Sequence, residues 1–221
     1  LHELPLFLRL FIILHSFMRE VRKPRVSGGA LGKSPTFPTY PASRRTSRKI
    51  GLTGSIACGK STVSQYLRQK GCFIVDADAI SRALTADGGA ALPEIRRAFG
   101  DDVFSGASLD RAKLGQLVFA DAQKRETLNA ILHPMIFSEI RRQLDRLDAP
   151  GQIVVGDVPL LFECGMASMF DTVWVVRAAR ETQIQRLFER DGLSREQAER
   201  RIDSQMPPDE KIRRANAVID T

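Results

Sequence analysis

The chain has 221 residues, enough for one α/β domain with an insertion, and its hydrophobic share of 43% is ordinary for a protein that buries a core. Its net charge of +7 is unevenly placed: residues 1–49 hold ten Lys/Arg against two Asp/Glu, and the remainder holds 23 against 24. The folded part is therefore near neutral, which argues against a nucleic-acid partner, and three cysteines (Cys58, Cys72, Cys164) without a C-x-x-C pair argue against a disulfide or zinc framework and for a reducing, cytoplasmic setting.

Residues 1–48 are expected to lie outside the fold. Leu4 to Leu14 is mostly apolar, but Pro5 and Arg9 interrupt it and it is too short to span a membrane. Arg19 to Ser47 is rich in Arg, Lys, Ser, Pro and Gly with Glu20 as its one acid, a composition that cannot bury a core. Such a leader reads either as an organelle-targeting peptide or as translation from a start upstream of the true one. The chain opens on Leu rather than Met, which fits a fragment or an odd start codon, and the second reading is favoured.

Lys49 to Thr53 predicts a short buried strand. Directly after it Gly54, Gly59, Lys60 and Ser61 fill G-x-x-x-x-G-K-[ST], the phosphate-binding loop of mononucleotide kinases and NTPases. The glycines let the backbone bend close to a ligand. The amides from Ile56 through Ala57, Cys58, Gly59 and Lys60 to Ser61 are expected to face phosphate oxygens, with Thr62 closing the set. A helix over Ser61–Lys70, ended by Gly71, adds the positive end of its dipole. Lys60 places a mobile cation on the outer phosphates, and the Ser61 hydroxyl is suited to magnesium, so ATP and Mg²⁺ are the implied cofactors. Cys58 reads as a small residue tolerated in the loop, or as a redox-sensitive thiol whose pKa the loop amides and Lys60 lower.

A second strand, Cys72 to Val75, delivers Asp76 and Asp78 to its carboxyl end, where ligands gather in open parallel sheets. Period-2 spacing can put both acids on one side; the plainer alternative is that one of them caps a helix over Ala79–Leu84. From Gly88 to Arg146 the pattern is helical, with Asp110 as a cap and His133-Pro134 as a helix junction. That length exceeds an ordinary crossover and predicts an inserted helical domain over the acceptor. His133 is either a structural histidine or an acceptor contact. A strand over Ile153–Gly156 ends in Asp157, the position of the second carboxylate that holds magnesium or its water. In the following P-L-L-F-E run, Leu160 and Leu161 are expected in the core, and Phe162 and Glu163 along the acceptor. Thr172–Val176 is the next strand.

Gln183–Arg190 predicts a helix with Arg186 and Arg190 one turn apart. Gly192 breaks it, and Ser194 with Gln197 forms a capping box for the next helix. This basic helical pair, about residues 181–206, fits a lid that closes over ATP and supplies charge; the alternative is a solvated face paired to Glu181, Glu189 and Glu196. Pro207-Pro208 ends the lid, and Lys211–Ala215 and Ala217–Ile219 form a last helix and strand.

The ordered set G-L-T-G-S-I-A-C-G-K-S-T, V-D-A-D-A-I, L-H-P, D-V-P-L-L-F-E, R-L-F-E-R-D-G-L-S and R-I-D-S-Q-M-P resembles the dephospho-coenzyme A kinase family from about Lys49 to Asp220. The resemblance implies a phosphate-loop α/β fold: three α/β/α layers on a parallel sheet, with an inserted helical acceptor-binding domain (about 88–146) and a helical lid. It implies ATP-dependent phosphorylation of the ribose 3′-hydroxyl of dephospho-coenzyme A, the last step of coenzyme A synthesis. Asp78 would take the hydroxyl proton or orient the hydroxyl, Lys60 would bridge the phosphates, and Arg186 with Arg190 would stabilise transferred charge. ATP and dephospho-coenzyme A are the expected partners, with no nucleic acid or membrane, in a monomer or weak homo-oligomer. Asn216 stands where the family usually has Asp, which bears on nucleotide-base contacts. The chain stops at Thr221, where the family continues through Asn and a helix, which is expected to expose core beside the last strand. A shikimate kinase-like enzyme, a nucleotide-switch protein and a nonfunctional truncated homologue are the rival readings. The long insertion and the apolar P-L-L-F-E run speak against the first, and the lack of N-K-x-D against the second.

Overall fold

The apolar residues of the predicted strands alternate between two faces, and a sheet covered by helices on both sides is the arrangement that buries them. The computed structural model describes residues 47–221. In chain order the elements are β1 (Ser47–Gly54), α1 (Lys60–Gln69), β2 (Phe73–Asp76), α2 (Ala77–Leu84) and α3 (Leu92–Phe99). A hairpin of β3 (Phe104–Ser105) and β4 (Ser108–Leu109) follows, then α4 (Arg111–Ala120) and α5 (Ala122–Arg146). The chain continues through β5 (Gln152–Asp157), β6 (Thr172–Arg177), α6 (Arg180–Asp191), α7 (Arg195–Asp203), α8 (Pro208–Arg214) and β7 (Ala217–Asp220).

The main sheet has the order β2-β5-β1-β6-β7 with every pairing parallel. β1 is central, so the loop that follows it opens at the middle of the carboxyl edge. Ile50, Leu52, Ile153, Val155, Trp174, Val176 and Ile219 pack with Val63 and Leu67 of α1 on one face. Val75, Val154, Val173 and Val175 pack with Ile80 of α2 and with Ile140 and Leu144 of α5 on the other. On that second face Gly51 and Gly156 leave room for the buried Phe170 ring: a Cβ on Gly156 would lie 2.4 Å from two of its carbons.

Several boundaries differ from expectation. β1 starts at Ser47, whose hydroxyl and amide both bond Asp148, so Ser47 and Arg48 belong to the fold; the expectation for the rest of the leader lies outside the described residues. The expected helical stretch contains the β3–β4 hairpin, turned by Gly106 at φ 63°. His133-Pro134 is no junction: α5 runs unbroken through Pro134. Its first half packs Leu128, Ile131 and Leu132 into the insertion's own core with Leu92, Ile95, Phe104 and Leu114, and its second half packs onto the sheet. Anchorage on both sides of the proline outweighs the hydrogen bond it removes. Asp110 caps α4 as expected, and Asp121 caps α5. Ile219 is buried, so the last strand does not leave it exposed. Among the described residues no helix is long and apolar enough to cross a membrane.

Candidate active site

The turn from β1 into α1 is shaped by conformations that few residues adopt. Gly59 caps α1 in the left-handed region at φ 84°, and Ala57 is also left-handed at φ 56°. Gly54 cannot carry a side chain: its Cβ would lie 2.5 Å from both Cys58 Sγ and the Val176 carbonyl oxygen. α1 has neither a side-chain cap nor an acid in its first turn, which leaves its amino end to an outside anion. The amides are not all available as expected. Ile56 N–H donates to Gln205 Oε1 at 2.8 Å, Cys58 N–H donates to the Ser55 carbonyl at 3.2 Å, and the Lys60 N–H acts on the Cys58 thiol, leaving those of Ala57, Gly59 and Ser61 for the ligand.

The loop lines a cleft of about 700 Å³ that Gly54–Thr62 share with Asp78, Pro159, Arg186, Glu189, Arg190 and Gln205. Lys60 bonds the buried carboxylate of Asp157, at the end of the adjacent β5. Asp78 sits exposed in the first turn of α2 and lines the cleft. Asp76 lies one residue before that helix and caps it, accepting from Ala79 N–H at 3.0 Å. The two acids thus do not share a strand face as period 2 suggests. The helix begins at Ala77, so Asp76 fixes the helix that carries Asp78.

From α6, Arg186 Nη1 donates to the Ala57 carbonyl and to Thr221 Oγ1, both at 3.1 Å, and Thr221 Oγ1 donates to the Cys58 carbonyl at 2.7 Å. Arg190 forms a two-pronged pair with Asp191 at 2.8 Å on the cleft rim. Ser194 and Gln197 make the capping box of α7 as the spacing predicts.

A family profile described as dephospho-CoA kinase matches residues 48–221. The chain belongs to the dephospho-CoA kinase family. A dephospho-CoA kinase of Symbiobacterium thermophilum is 51% identical over 175 residues, 78% of this chain and 73% of the relative. That of Listeria monocytogenes serotype 4b is 45% identical over 175 residues, 78% of this chain and 88% of the relative. Among solved structures, TT1252 from Thermus thermophilus superposes with a TM-score of 0.70 at 37% identity, covering 80% of this chain and 90% of that one. The dephospho-CoA kinase from Campylobacter jejuni gives 0.61 at 30% identity, covering 79% and 88%. The shikimate kinase-like and nucleotide-switch readings fall with this.

In this member of the dephospho-CoA kinase family, the other residues singled out by sequence lie off the cleft wall. Phe162 is buried in the sheet core, whereas Leu160, expected there, is 42% exposed; the turn after Pro159 reverses which side chains point inward. Glu163 pairs at 2.7 Å with Lys211 of α8, which is 0% exposed. His133 stacks on Phe137 along α5, ring centres 5.7 Å apart. Asn216 sits before the amino end of β7, exchanging hydrogen bonds with Val173 at 2.7 and 2.8 Å, at the opposite edge of the sheet from the loop. It ties strands together there. Cys58 turns its thiol into the core, and burial pushes its pKa up more strongly than the amide and charge of Lys60 lower it. The low-pKa redox reading of Cys58 is therefore overturned.

Sequence reasoning missed Gln183, Gln205, Lys211 and Thr221. Gln205 stands within R-I-D-S-Q-M-P, so the motif was the available signal. Lys211 carried none, because a lysine in a polar run ordinarily reads as solvated.

Proposed function

We propose that the chain transfers the terminal phosphoryl group of ATP to the ribose 3′-hydroxyl of dephospho-CoA, giving CoA and ADP. The observation that carries this reading is the meeting of the phosphate loop, Asp78 and Arg186 on one cleft, in a chain whose relatives are dephospho-CoA kinases. The amides of Ala57, Gly59 and Ser61 and the amino end of α1 hold the phosphates. Asp78, lining the cleft, orients the acceptor hydroxyl and takes its proton as the new O–P bond forms and the bond to the ADP oxygen breaks. Lys60 leaves Asp157 for the outer phosphates, and Arg186 meets the charge that spreads over the transferring group. Arg190, on the rim, contacts the nucleotide. Phe162 and Glu163 serve the site through the fold, as core and as the partner of Lys211, and His133 stays with Phe137.

The residues fit magnesium. Ser61 offers a hydroxyl and Asp157 a buried carboxylate, and the described residues contain no cluster of three or more His, Cys, Asp or Glu to cage a metal. A cation held there takes most of its ligands from phosphate and water, as magnesium does. When bound, it neutralises charge on the phosphates. Incubation with Mg-ATP and either dephospho-CoA or shikimate tests the reading, with CoA formation followed by mass. A folded protein that binds ATP and yields no CoA would overturn it.

A further inference from the structure

The crown of the phosphate loop is gripped from the lid by two glutamines. Gln183, on α6 and 2% exposed, donates its Nε2 to the Ile56 carbonyl at 2.6 Å. Gln205, in the turn after α7, accepts the Ile56 N–H on Oε1 at 2.8 Å. Both backbone polar groups of one residue are thus held by side chains from the two ends of the lid pair. Ile56 and Ala57 also pack against the lid's own core of Ile184, Leu187, Ala198 and Ile202. Arg186 lies one turn beyond Gln183 on α6, and its guanidinium reaches the next carbonyl, that of Ala57.

Glutamine answers the need at both places. Position 183 requires a buried donor without a charge, since an unpaired buried charge is far more costly than a neutral amide. Position 205 requires an acceptor on a stem long enough to reach the loop from the end of α7. Asparagine is one methylene shorter, and methionine, close in length, offers neither a donor nor a strong acceptor.

We propose that Gln183 and Gln205 are positioning residues that seat the lid on Ile56, so that filling the phosphate loop orders the lid and aims Arg186 at the transferring phosphoryl group. The proposal rests on the kinase reading above. The site of coupling is one residue's backbone, so the two side chains act as a unit, and loss of either releases the same contact. A misplacement on the order of 1 Å at Arg186 is enough to lower turnover by ~100-fold.

The test uses the full chain and its variants Q183M, Q205M and the double variant, with R180A as a comparison. Arg180 joins α6 to α7 through an exposed pair with Asp203 and does not touch Ile56. Amide hydrogen exchange is measured with and without Mg-ATP over residues 54–62 and 193–205, and kcat and KM are measured for both substrates. In the wild type, Mg-ATP slows exchange in both segments. In each methionine variant it slows exchange in the loop alone, and kcat falls about 10- to 100-fold with KM for dephospho-CoA little changed. The double variant falls no more than about threefold below the weaker single variant. Q205E, which keeps the acceptor, recovers lid protection while its charge raises KM for ATP. R180A matches the wild type. Lid protection that persists in the double variant, kcat losses that multiply, or an R180A variant that behaves like the glutamine variants would each overturn the proposal. Should Q183M fail to fold, Q205M and Q205E decide alone. A wild type that forms no CoA would sink the kinase reading, and the exchange comparison would still judge the clamp.

Discussion

Lys211 is the residue whose removal reaches deepest. It is 0% exposed, its ammonium lies 2.7 Å from Glu163 Oε1, and the Pro159 carbonyl, 3.4 Å away, also accepts from Thr53 Oγ1 at 2.9 Å. One side chain therefore anchors the segment that forms a wall of the cleft. Lys211→Ala removes three methylene carbons from a sealed site, at about 0.8 kcal/mol each, and adds a cavity. It also strands Glu163, whose side chain is only 23% exposed, although the cost of desolvating the ammonium is recovered. The balance is a loss of about 3–4 kcal/mol, the range for breaking a buried pair. For a folded part of this size it lowers Tm by roughly 6–16 °C. Lys211→Met keeps most of the volume and costs about 1 kcal/mol, because Glu163 can turn toward water. Lys211→Met with Glu163→Gln comes close to the wild type, since matched neutral side chains replace a pair that gains little over its desolvation. Urea unfolding followed by tryptophan fluorescence from Trp174, buried in the sheet, orders the three variants. A Lys211→Ala loss under about 1 kcal/mol at unchanged m, or a Lys211→Met loss equal to it, would refute the packing argument.

Asp78→Asn keeps the shape and removes the proton acceptor, so turnover falls by about 10²–10⁴ while ATP still binds; steady-state kinetics with a fluorescent nucleotide titration check both halves. Gly156→Ala drives a methyl into the Phe170 ring and costs about 1–3 kcal/mol, part of which Phe170→Leu restores on the same background; thermal melts of the two variants test this. The Arg142 guanidinium, helped by Gln143, pulls the Glu139 carboxyl from its ordinary 4.5 down to about 2. A folded-state pKa below the unfolded value gives stability that is present above about pH 4.5 and lost as pH falls toward 2. The pair lies on an open helix face, so Glu139→Gln costs only about 0.5 kcal/mol at pH 7, and that difference disappears between pH 4.5 and 2. An NMR titration that finds Glu139 in the usual carboxylate range would contradict the assignment.

The parts of this fold that are legible in the sequence are those set by near neighbours along the chain. Gly54, Gly59 and the apolar alternation of β1 define the loop locally, and Asp110 and the Ser194–Gln197 box mark helix starts that the structure keeps. What escaped depends on distant partners. Pro134 reads as a break until two separate cores are seen to hold α5 on either side of it. Leu160 and Phe162 exchange burial because the turn after Pro159 sets their direction, and an apolar run does not encode that turn. Gln183 and Gln205 are 22 residues apart and meet only because α6 and α7 fold back on the loop. Cys58 shows the same dependence: near Lys60 in sequence it suggests an activated thiol, yet the loop's path turns it into the core.

The unbroken α5 has a consequence for how this protein comes apart. Its 25 residues make a rod of about 37 Å, and the two halves are shared between the insertion's core and the sheet's. An inserted domain joined by loops could open by itself while the remainder kept its structure. Here the insertion cannot melt without fraying the helix that also seals Val75 and Val154 on the sheet. Insertion and nucleotide core are thereby bound into one cooperative unfolding unit, with hydrogen-exchange protection in α5 approaching the global value along its length.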